Sequence, residues 1–257
     1  MTAPVFVDPA AATAAVGDLV RVEGDEARHA VTVQRRQVGE RVDVVDGAGA
    51  RAGGLIAATG DRWMEVRVDA VSRDRDPDVT LVQALAKGGR DEQAVEAAVE
   101  LGATRIVPWA SDRAIVQWRG PKAAKGREKW ASLALAAAKQ SRRAIVPAVD
   151  DAVTTRQLAA RVGEAVASGA RVLVLHEAVA TPIAGLTWAD ADTPVWLVVG
   201  PEGGISDAEV EALVAAGAEA VVLGPHVLRA SSAGPAALAA LAALRGHWGG
   251  PVTTLGG

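Results

Sequence analysis

Short apolar runs and glycine-containing breaks alternate along the last third of the chain. Val195–Val199 is one such run, residues 220–223 form another, and both are typical of buried parallel strands. Each run is followed by a break, GPEGG at residues 200–204 and GP at residues 224–225. Ligands of open α/β sheets bind at the carboxyl ends of strands, so the two breaks should outline one pocket.

Helix signals follow both breaks. Ser206 and Glu209 have the spacing of a capping box, so a helix is predicted to begin at about Asp207, and Gly217 suits its C′ position. A second helix is expected to carry Pro235 in its first turn, where a missing N–H is tolerated.

The same strand–helix alternation begins at residue 79 and predicts a parallel α/β sheet with right-handed crossovers. One of its strands ends at His176 and Glu177, which adds a third strand end to the expected pocket. The predicted strands are Val79–Ala84, residues 105–107 and Arg171–Leu175, and the predicted helices are residues 91–101, 120–143 and 154–167.

The N-terminal part is predicted to be mostly β-structure, with a hairpin turn at residues 46–49 and one helix at residues 25–35 capped by Asp25. Residues 72–78 are charged and contain a proline, as in a linker, so we predict two domains, residues 1–73 and 74–257. The expected N-terminal strands are residues 19–22, 41–45, 54–58 and 63–71.

Composition narrows the classes of protein. The 257 residues include no cysteine, which excludes disulfides and thiolate metal sites, and the four histidines are scattered, so no metal is expected. No signal peptide and no apolar run long enough for a membrane span are recognisable, so a cytoplasmic protein without a membrane partner is expected.

Basic residues are concentrated although the net charge is −4. Such clusters supply phosphate contacts to RNA, and the alternative is a solvated, charged surface. The N-terminal group is Arg28, Arg35, Arg36 and Arg41. The larger group, accompanied in that segment only by Asp112 and Glu128, is Arg113, Arg119, Lys122, Lys125, Arg127, Lys129, Lys139, Arg142 and Arg143.

Several motifs together resemble the RsmE family of the SPOUT superfamily of RNA methyltransferases. GPEGGIS followed by LGPHVLRASSA resembles the cofactor-binding half of SPOUT proteins, and KGGRDEQAVEAAVELGATRIVP with SDRAIVQW resembles the start of the RsmE catalytic domain. VEGDEARHAVTVQRRQVGERVDVVDGAG resembles the PUA-like N-terminal domain of that family. The chain departs from the family where LRASSA replaces LRTETA, and where Lys139 and Arg142 replace Glu and Gly.

The resemblance implies a PUA-like, RNA-binding β-barrel over residues 1–73 and a SPOUT domain over residues 74–257 with a deep trefoil knot. It implies a homodimer that uses S-adenosyl-L-methionine to methylate uridine N3 in the decoding region of 16S rRNA, within the small ribosomal subunit. The alternatives are a SPOUT ribose 2′-O methyltransferase acting on tRNA or 23S rRNA, and a non-catalytic RNA-binding or ribosome assembly protein. A nucleotide-binding enzyme is a further reading, but a recognised phosphate motif is missing.

The chemistry of methyl transfer to uracil suggests roles for individual residues, and the family match adds Arg113 and Arg143 as RNA contacts. Arg229 is the expected electrostatic partner of the uracil or of an RNA phosphate, and Glu202 and His176 are candidate bases, with a structural role favoured for Glu202. The expected RNA contacts are Arg28, Arg35, Arg36, Arg113, Gln140, Arg142 and Arg143. The expected cofactor contacts are Leu175, His176, Glu177, Gly200, Pro201, Glu202, Gly203, Gly204, Leu223, Gly224, Leu228, Arg229 and Ala230.

Overall fold

A computed structural model describes residues 3–249, so the ends of both predicted domains, residues 1–2 and 250–257, lie outside the described residues. The chain forms two compact units. Among the described residues, the first comprises residues 3–76 together with Ala138–Val146, and the second comprises Pro77–Ala137 and residues 147–249. The boundary at Asp76 falls within the predicted linker.

The segment Ala138–Val146 groups with the first unit, whereas the sequence placed it in the second domain. The physical reason is apolar packing and backbone pairing. Ala144 is buried in a small cluster with Val5 and Val45, and Ile145 forms a backbone bridge with Gly47.

A five-stranded sheet forms the first unit, in the order β1-β3-β4-β5-β2. The turn at residues 46–49 is confirmed, because β3 pairs antiparallel with β4 and Asp46 Oδ1 accepts hydrogen bonds from the N–H groups of Ala48 and Ala50. Phe6, Ile56 and Met64 fill the core. The strands are β1 (Val5–Val7), β2 (Leu19–Glu23), β3 (Arg41–Val45), β4 (Ala50–Gly60) and β5 (Trp63–Arg73).

The single helix predicted at residues 25–35 is wrong in detail. The α-helix α1 spans Gly24–Arg28 and continues as a π-helical turn at His29–Val33. Asp25 is not the N-cap, since Gly24 already occupies the first helical position and Asp25 lies in the first turn. The helical path ends before Arg35, whose φ of 56° is left-handed.

A seven-stranded sheet forms the second unit, with the order β12-β10-β11-β6-β7-β8 and with β9 paired to β7. All of its strand pairs are parallel, which confirms the predicted α/β class. The strands are β6 (Val79–Ala84), β7 (Arg105–Ala110), β8 (Ala148–Val149), β9 (Val153–Thr154), β10 (Arg171–Leu175), β11 (Val195–Val199) and β12 (Glu219–Val221).

Both faces of this sheet are covered by helices. Leu158 and Leu213, from α4 and α5, are buried against one face together with Val198. Helix α6 packs on α2, and its Gly234 lies so close to the sheet that a Cβ there would be 2.9 Å from Leu81 Cδ1. The helices after α1 are α2 (Arg90–Glu100), α3 (Pro121–Gln140), α4 (Thr155–Ala167), α5 (Asp207–Ala215) and α6 (Ala230–Leu244).

Helix ends confirm some local predictions and overturn others. The capping box of Ser206 and Glu209 is present, and Gly217 follows α5 with a φ of 103°. Pro235 is not in a first turn, because α6 already begins at Ala230 and the proline lies inside the helix. Helix α3 ends at Gln140 rather than at residue 143, since Arg142 has a left-handed φ of 61°.

Candidate active site

A cavity of about 300 Å³ lies at the carboxyl ends of β10, β11 and β12. These three strands are neighbours in the sheet, so the segments that follow them converge. The cavity is lined by Arg90, Leu175, His176, Glu177, Val199, Gly200, Pro201, Glu202, Gly204, Ile205, Val222, Leu223, Gly224, His226, Val227, Leu228, Arg229, Ala230 and Ala233.

Among residues 3–249, no helix is long and apolar enough to cross a membrane.

All of the predicted cofactor residues except Gly203 line this cavity. The carbonyl oxygen of Gly203 instead accepts a hydrogen bond of 3.2 Å from Arg113 Nη1. Sequence reasoning missed Arg90, although the KGGR segment follows the carboxyl end of β6 and could have been counted as a further strand end. It also missed Ile205 and Ala233, whose side chains gave no chemical signal.

The segment of residues 200–204, here called the glycine loop, is a tight turn that requires its glycines. The N–H of Gly204 donates to the carbonyl oxygen of Pro201 at 2.9 Å, and Gly204 has a left-handed φ of 73°. A Cβ at Gly200 would lie 2.6 Å from Ile205 Cγ1. Side chains at these two positions would therefore distort the cavity wall.

Glu202 joins the glycine loop to the loop between β6 and α2. Its Oε1 accepts hydrogen bonds from the backbone N–H of Lys87 at 3.2 Å and from Arg90 Nη1 at 3.1 Å. The Glu202 side chain is 19% exposed, so this ion pair is only partly screened by water. Through these contacts Glu202 bridges the glycine loop to Lys87 and Arg90.

His176 is held at the end of β10 by its backbone and its ring. The His176 N–H donates to the carbonyl oxygen of Val221, and the ring Nδ1 accepts a hydrogen bond of 3.2 Å from the N–H of Ala178. A ring nitrogen that accepts an N–H carries no proton, so a neutral His176 holds its proton on Nε2.

Arg229 stands at the N-cap position of α6 and is exposed beside the cavity. Within residues 3–249, its guanidinium has neither a hydrogen bond nor an ion pair with another residue. The neighbouring Val227 and Leu228 are 77% and 40% exposed, so the mouth of the cavity combines an apolar edge with an available positive charge. Ser231 and Ser232 belong to the LRASSA segment, where the chain departs from the family motif, and they lie in the first turn of α6.

The predicted RNA contacts in the first unit differ from one another in exposure and in ion pairing. Arg28 and Arg35 are exposed, whereas Arg36 pairs with Glu40 at 3.1 Å. Arg143 is 9% exposed and pairs with Asp76 at 2.7 Å.

The remaining predicted contacts include Gln140, which is exposed, and Arg142, which is half-buried. Lys139, where the family has Glu, pairs with Glu26 at 2.6 Å.

The large basic group carries less net positive charge than its sequence indicated, because some of its side chains form ion pairs. Arg127 pairs with Asp151 at 3.3 Å, and Lys129 pairs with Glu92. Lys122 and Lys125 are exposed on the same helix. Acids distant in sequence therefore neutralise part of the cluster.

In the described part of the chain, no group of His, Asp or Glu side chains could hold a metal ion.

Comparisons with known proteins agree with this geometry. A family model described as "RNA methyltransferase domain" matches residues 74–242. The chain is 43% identical over 241 residues to the ribosomal RNA small subunit methyltransferase E of Mycobacterium bovis, covering 90% of this chain and 89% of that protein. It is 29% identical to the protein of the same name from Bacillus subtilis, covering 86% and 88%.

Two solved structures are similar over nearly the whole chain. The ribosomal RNA small subunit methyltransferase E of Neisseria gonorrhoeae, bound to S-adenosyl methionine, has a TM-score of 0.83 at 28% identity and covers 95% of this chain and 98% of its own. A methyltransferase of Legionella pneumophila in complex with the same cofactor has a TM-score of 0.81 at 27% identity, with the same coverage.

Proposed function

The chain belongs to the ribosomal RNA small subunit methyltransferase E family, and we propose that it transfers a methyl group from S-adenosylmethionine to N3 of a uridine in 16S rRNA. The target lies in the decoding region of the small ribosomal subunit, and the enzyme acts in the cytoplasm, where that subunit is assembled. The observation that carries this proposal is the cavity at the ends of β10, β11 and β12.

The residues of the cavity fit S-adenosylmethionine. The cavity volume of about 300 Å³ lies at the lower end of the range of volumes found for ligand-binding sites. Leu175, Leu223 and Leu228 offer an apolar wall for an adenine ring, and the glycine loop leaves its backbone accessible. Glu177 contributes a carboxylate to the cavity lining, which suits a sulfonium or an amino group, whereas the Glu202 carboxylate is paired with Arg90.

Bound S-adenosylmethionine supplies an electrophilic methyl group, so the protein's contribution is to orient the uracil and stabilise its anion. Uracil N3 carries a proton, which in this proposal passes to solvent water before or during transfer and leaves negative charge on the ring oxygens. We assign the stabilisation of that charge to Arg229, because its guanidinium is exposed at the cavity and no acidic residue among residues 3–249 pairs with it.

Glu202 and His176 are the candidates for proton abstraction, and their contacts favour positioning roles instead. Glu202 Oε1 already accepts two hydrogen bonds, and the unprotonated nitrogen of His176 accepts one from Ala178. We therefore propose that Glu202 holds the cavity wall and that His176 offers its Nε2–H as a donor.

The basic side chains are proposed to bind rRNA phosphates. Arg28, Arg35 and Arg142 are the candidates in the first unit, and Arg113 is the candidate beside the glycine loop. The trefoil knot, the PUA-like character of residues 1–73 and the homodimer belong to the same proposal, and family membership supports them.

Labelled methyl transfer tests the function. Purified protein is incubated with methyl-labelled S-adenosylmethionine and with small subunits from cells that lack this methylation, and the rRNA is digested to nucleosides. Labelled 3-methyluridine is expected. A labelled 2′-O-methyl nucleoside would contradict the N3 assignment, and cofactor binding without any transfer to RNA would favour a non-catalytic protein.

A further inference from the structure

We propose that Glu209 is a positioning residue for the cofactor cavity, because its buried carboxylate fixes the glycine loop from two sides. The inference rests on the proposed function, since it takes residues 200–204 as a wall of the S-adenosylmethionine site. Glu209 itself does not line the cavity.

The Glu209 side chain is buried and fully hydrogen-bonded. The residue is 1% exposed. Oε2 accepts hydrogen bonds of 3.0 Å from the N–H and the hydroxyl of Ser206, and Oε1 accepts hydrogen bonds of 2.8 Å from the N–H of Asp112 and the hydroxyl of Thr155. One carboxylate thus ties together the start of α5, the start of α4 and the segment after β7, and such charge-assisted bonds are strong.

The first connection to the glycine loop runs through Arg113. Glu209 holds the N–H of Asp112, and the next residue, Arg113, donates from Nη1 to the carbonyl oxygen of Gly203. Arg113 also packs against that backbone, since a Cβ at Gly203 would lie 3.2 Å from Arg113 Cβ. Holding Asp112 therefore sets where Arg113 meets the loop.

The second connection runs along the chain. Ser206 follows the glycine loop after Ile205, and Glu209 holds both the N–H and the hydroxyl of Ser206. Ile205 is 3% exposed and lines the cavity. The loop is consequently fixed at its C-terminal end by Oε2 and at its outer side, through Arg113, by Oε1.

The variant Glu209→Gln tests this arrangement with little change in volume. Both carboxylate oxygens face backbone N–H donors, so the amide nitrogen of glutamine must oppose the N–H of either Asp112 or Ser206. One of the two connections is then lost. Glu211→Gln is the matched control, because Glu211 is exposed on the same helix.

Two readouts are measured on the full chain, hydrogen exchange of the peptides covering residues 111–114 and 200–206, and the Kd for S-adenosylmethionine by calorimetry. Glu209→Gln should accelerate exchange in at least one of these peptides and weaken cofactor binding about tenfold, as expected for a lost hydrogen bond to a charged group. Glu211→Gln should change neither. A folded Glu209→Gln protein with wild-type exchange and wild-type Kd would overturn the proposal.

A second variant keeps the proposal testable if Glu209→Gln fails to fold. Arg113→Met removes the surface contact to Gly203 and should accelerate loop exchange and weaken cofactor binding, without lowering the Tm; wild-type values for both would overturn the proposal. If the wild-type protein does not bind S-adenosylmethionine, the proposed function fails, and the exchange data alone then decide whether Glu209 fixes the loop.

Discussion

Arg51 donates a hydrogen bond of 2.9 Å from Nη2 to the carbonyl oxygen of Arg142, a residue whose φ of 61° is left-handed. Arg51 is 6% exposed and is also paired with Asp43 and Asp74. The N–H of Arg143 bonds the carbonyl of Ala138, a pattern that normally places glycine at the left-handed position. Arg142 therefore adopts a strained conformation in a well-supported helix end.

Replacing Arg142 by glycine should raise stability and lower RNA binding. Glycine relieves the left-handed strain, and the net gain in the free energy of unfolding should be about 0.5–1 kcal/mol. If Arg142 contacts a phosphate, rRNA binding weakens and its salt dependence becomes shallower by about one unit of slope. Thermal melts and filter binding at several salt concentrations measure the two effects.

Arg142→Lys is the control for this substitution, since it keeps both the charge and the backbone strain. It should behave like the wild type in both assays. Wild-type RNA binding by Arg142→Gly, together with its higher Tm, would show that Arg142 has no role in binding RNA.

Arg229→Ala should lower the rate of methyl transfer at least tenfold while leaving the Tm unchanged. The side chain is exposed and has no ion pair to lose within the described residues, so its removal affects the substrate charge rather than the fold. Single-turnover kinetics on small subunits give the rate. Arg156→Ala, at an exposed position on α4 outside the cavity lining, should retain full activity. Full activity of Arg229→Ala would remove Arg229 from the mechanism.

Two substitutions of Glu202 separate a structural role from proton abstraction. Glutamine keeps an oxygen that can accept from Lys87 and Arg90, whereas alanine removes both hydrogen bonds. We expect Glu202→Gln to keep the transfer rate within about tenfold of the wild type. Glu202→Ala should weaken cofactor binding more than Glu202→Gln does, because it loses a charged hydrogen bond. Equal and nearly complete inactivation by both, with normal cofactor binding, would instead identify Glu202 as the base.

The Arg171–Glu219 pair predicts a pH dependence of stability. Hydrogen bonds from Arg171 lower the pKa of Glu219 below its ordinary value of 4.5. A lowered carboxyl pKa stabilises the fold above that ordinary value, and the contribution is lost as the pH falls through the folded-state pKa. Glu219→Gln should cost less than about 1 kcal/mol at neutral pH, because the Glu219 side chain is 44% exposed.

Denaturant unfolding from pH 7 to pH 3 measures this effect. The stability difference between the wild type and Glu219→Gln should shrink on the acid side of pH 4.5. Glu211→Gln provides the reference, because Glu211 is exposed and has no ion pair with another residue between positions 3 and 249. A difference that stays constant with pH would contradict the account of this pair.

Local features were predictable from sequence because they depend on neighbouring residues. The capping box of Ser206 and Glu209 and the strand Arg171–Leu175 are examples. The pairing of Glu202 with Arg90 was not predictable, since the two residues are 112 positions apart and meet only through the strand order. The early end of α3 was also hidden, because an arginine at a left-handed position carries no sequence signal.

Cofactor binding is the most direct test of the cavity assignment. Gly224 lines the cavity, and a Cβ there would meet no atom within 4 Å, so the backbone has room for the start of a side chain and Gly224→Leu adds bulk at the cavity wall. Equilibrium dialysis of labelled S-adenosylmethionine should show one saturable site per wild-type chain and strongly reduced binding to a folded Gly224→Leu protein. Absence of binding to the wild type, or equal affinity of the two proteins, would contradict the assignment of this cavity to S-adenosylmethionine.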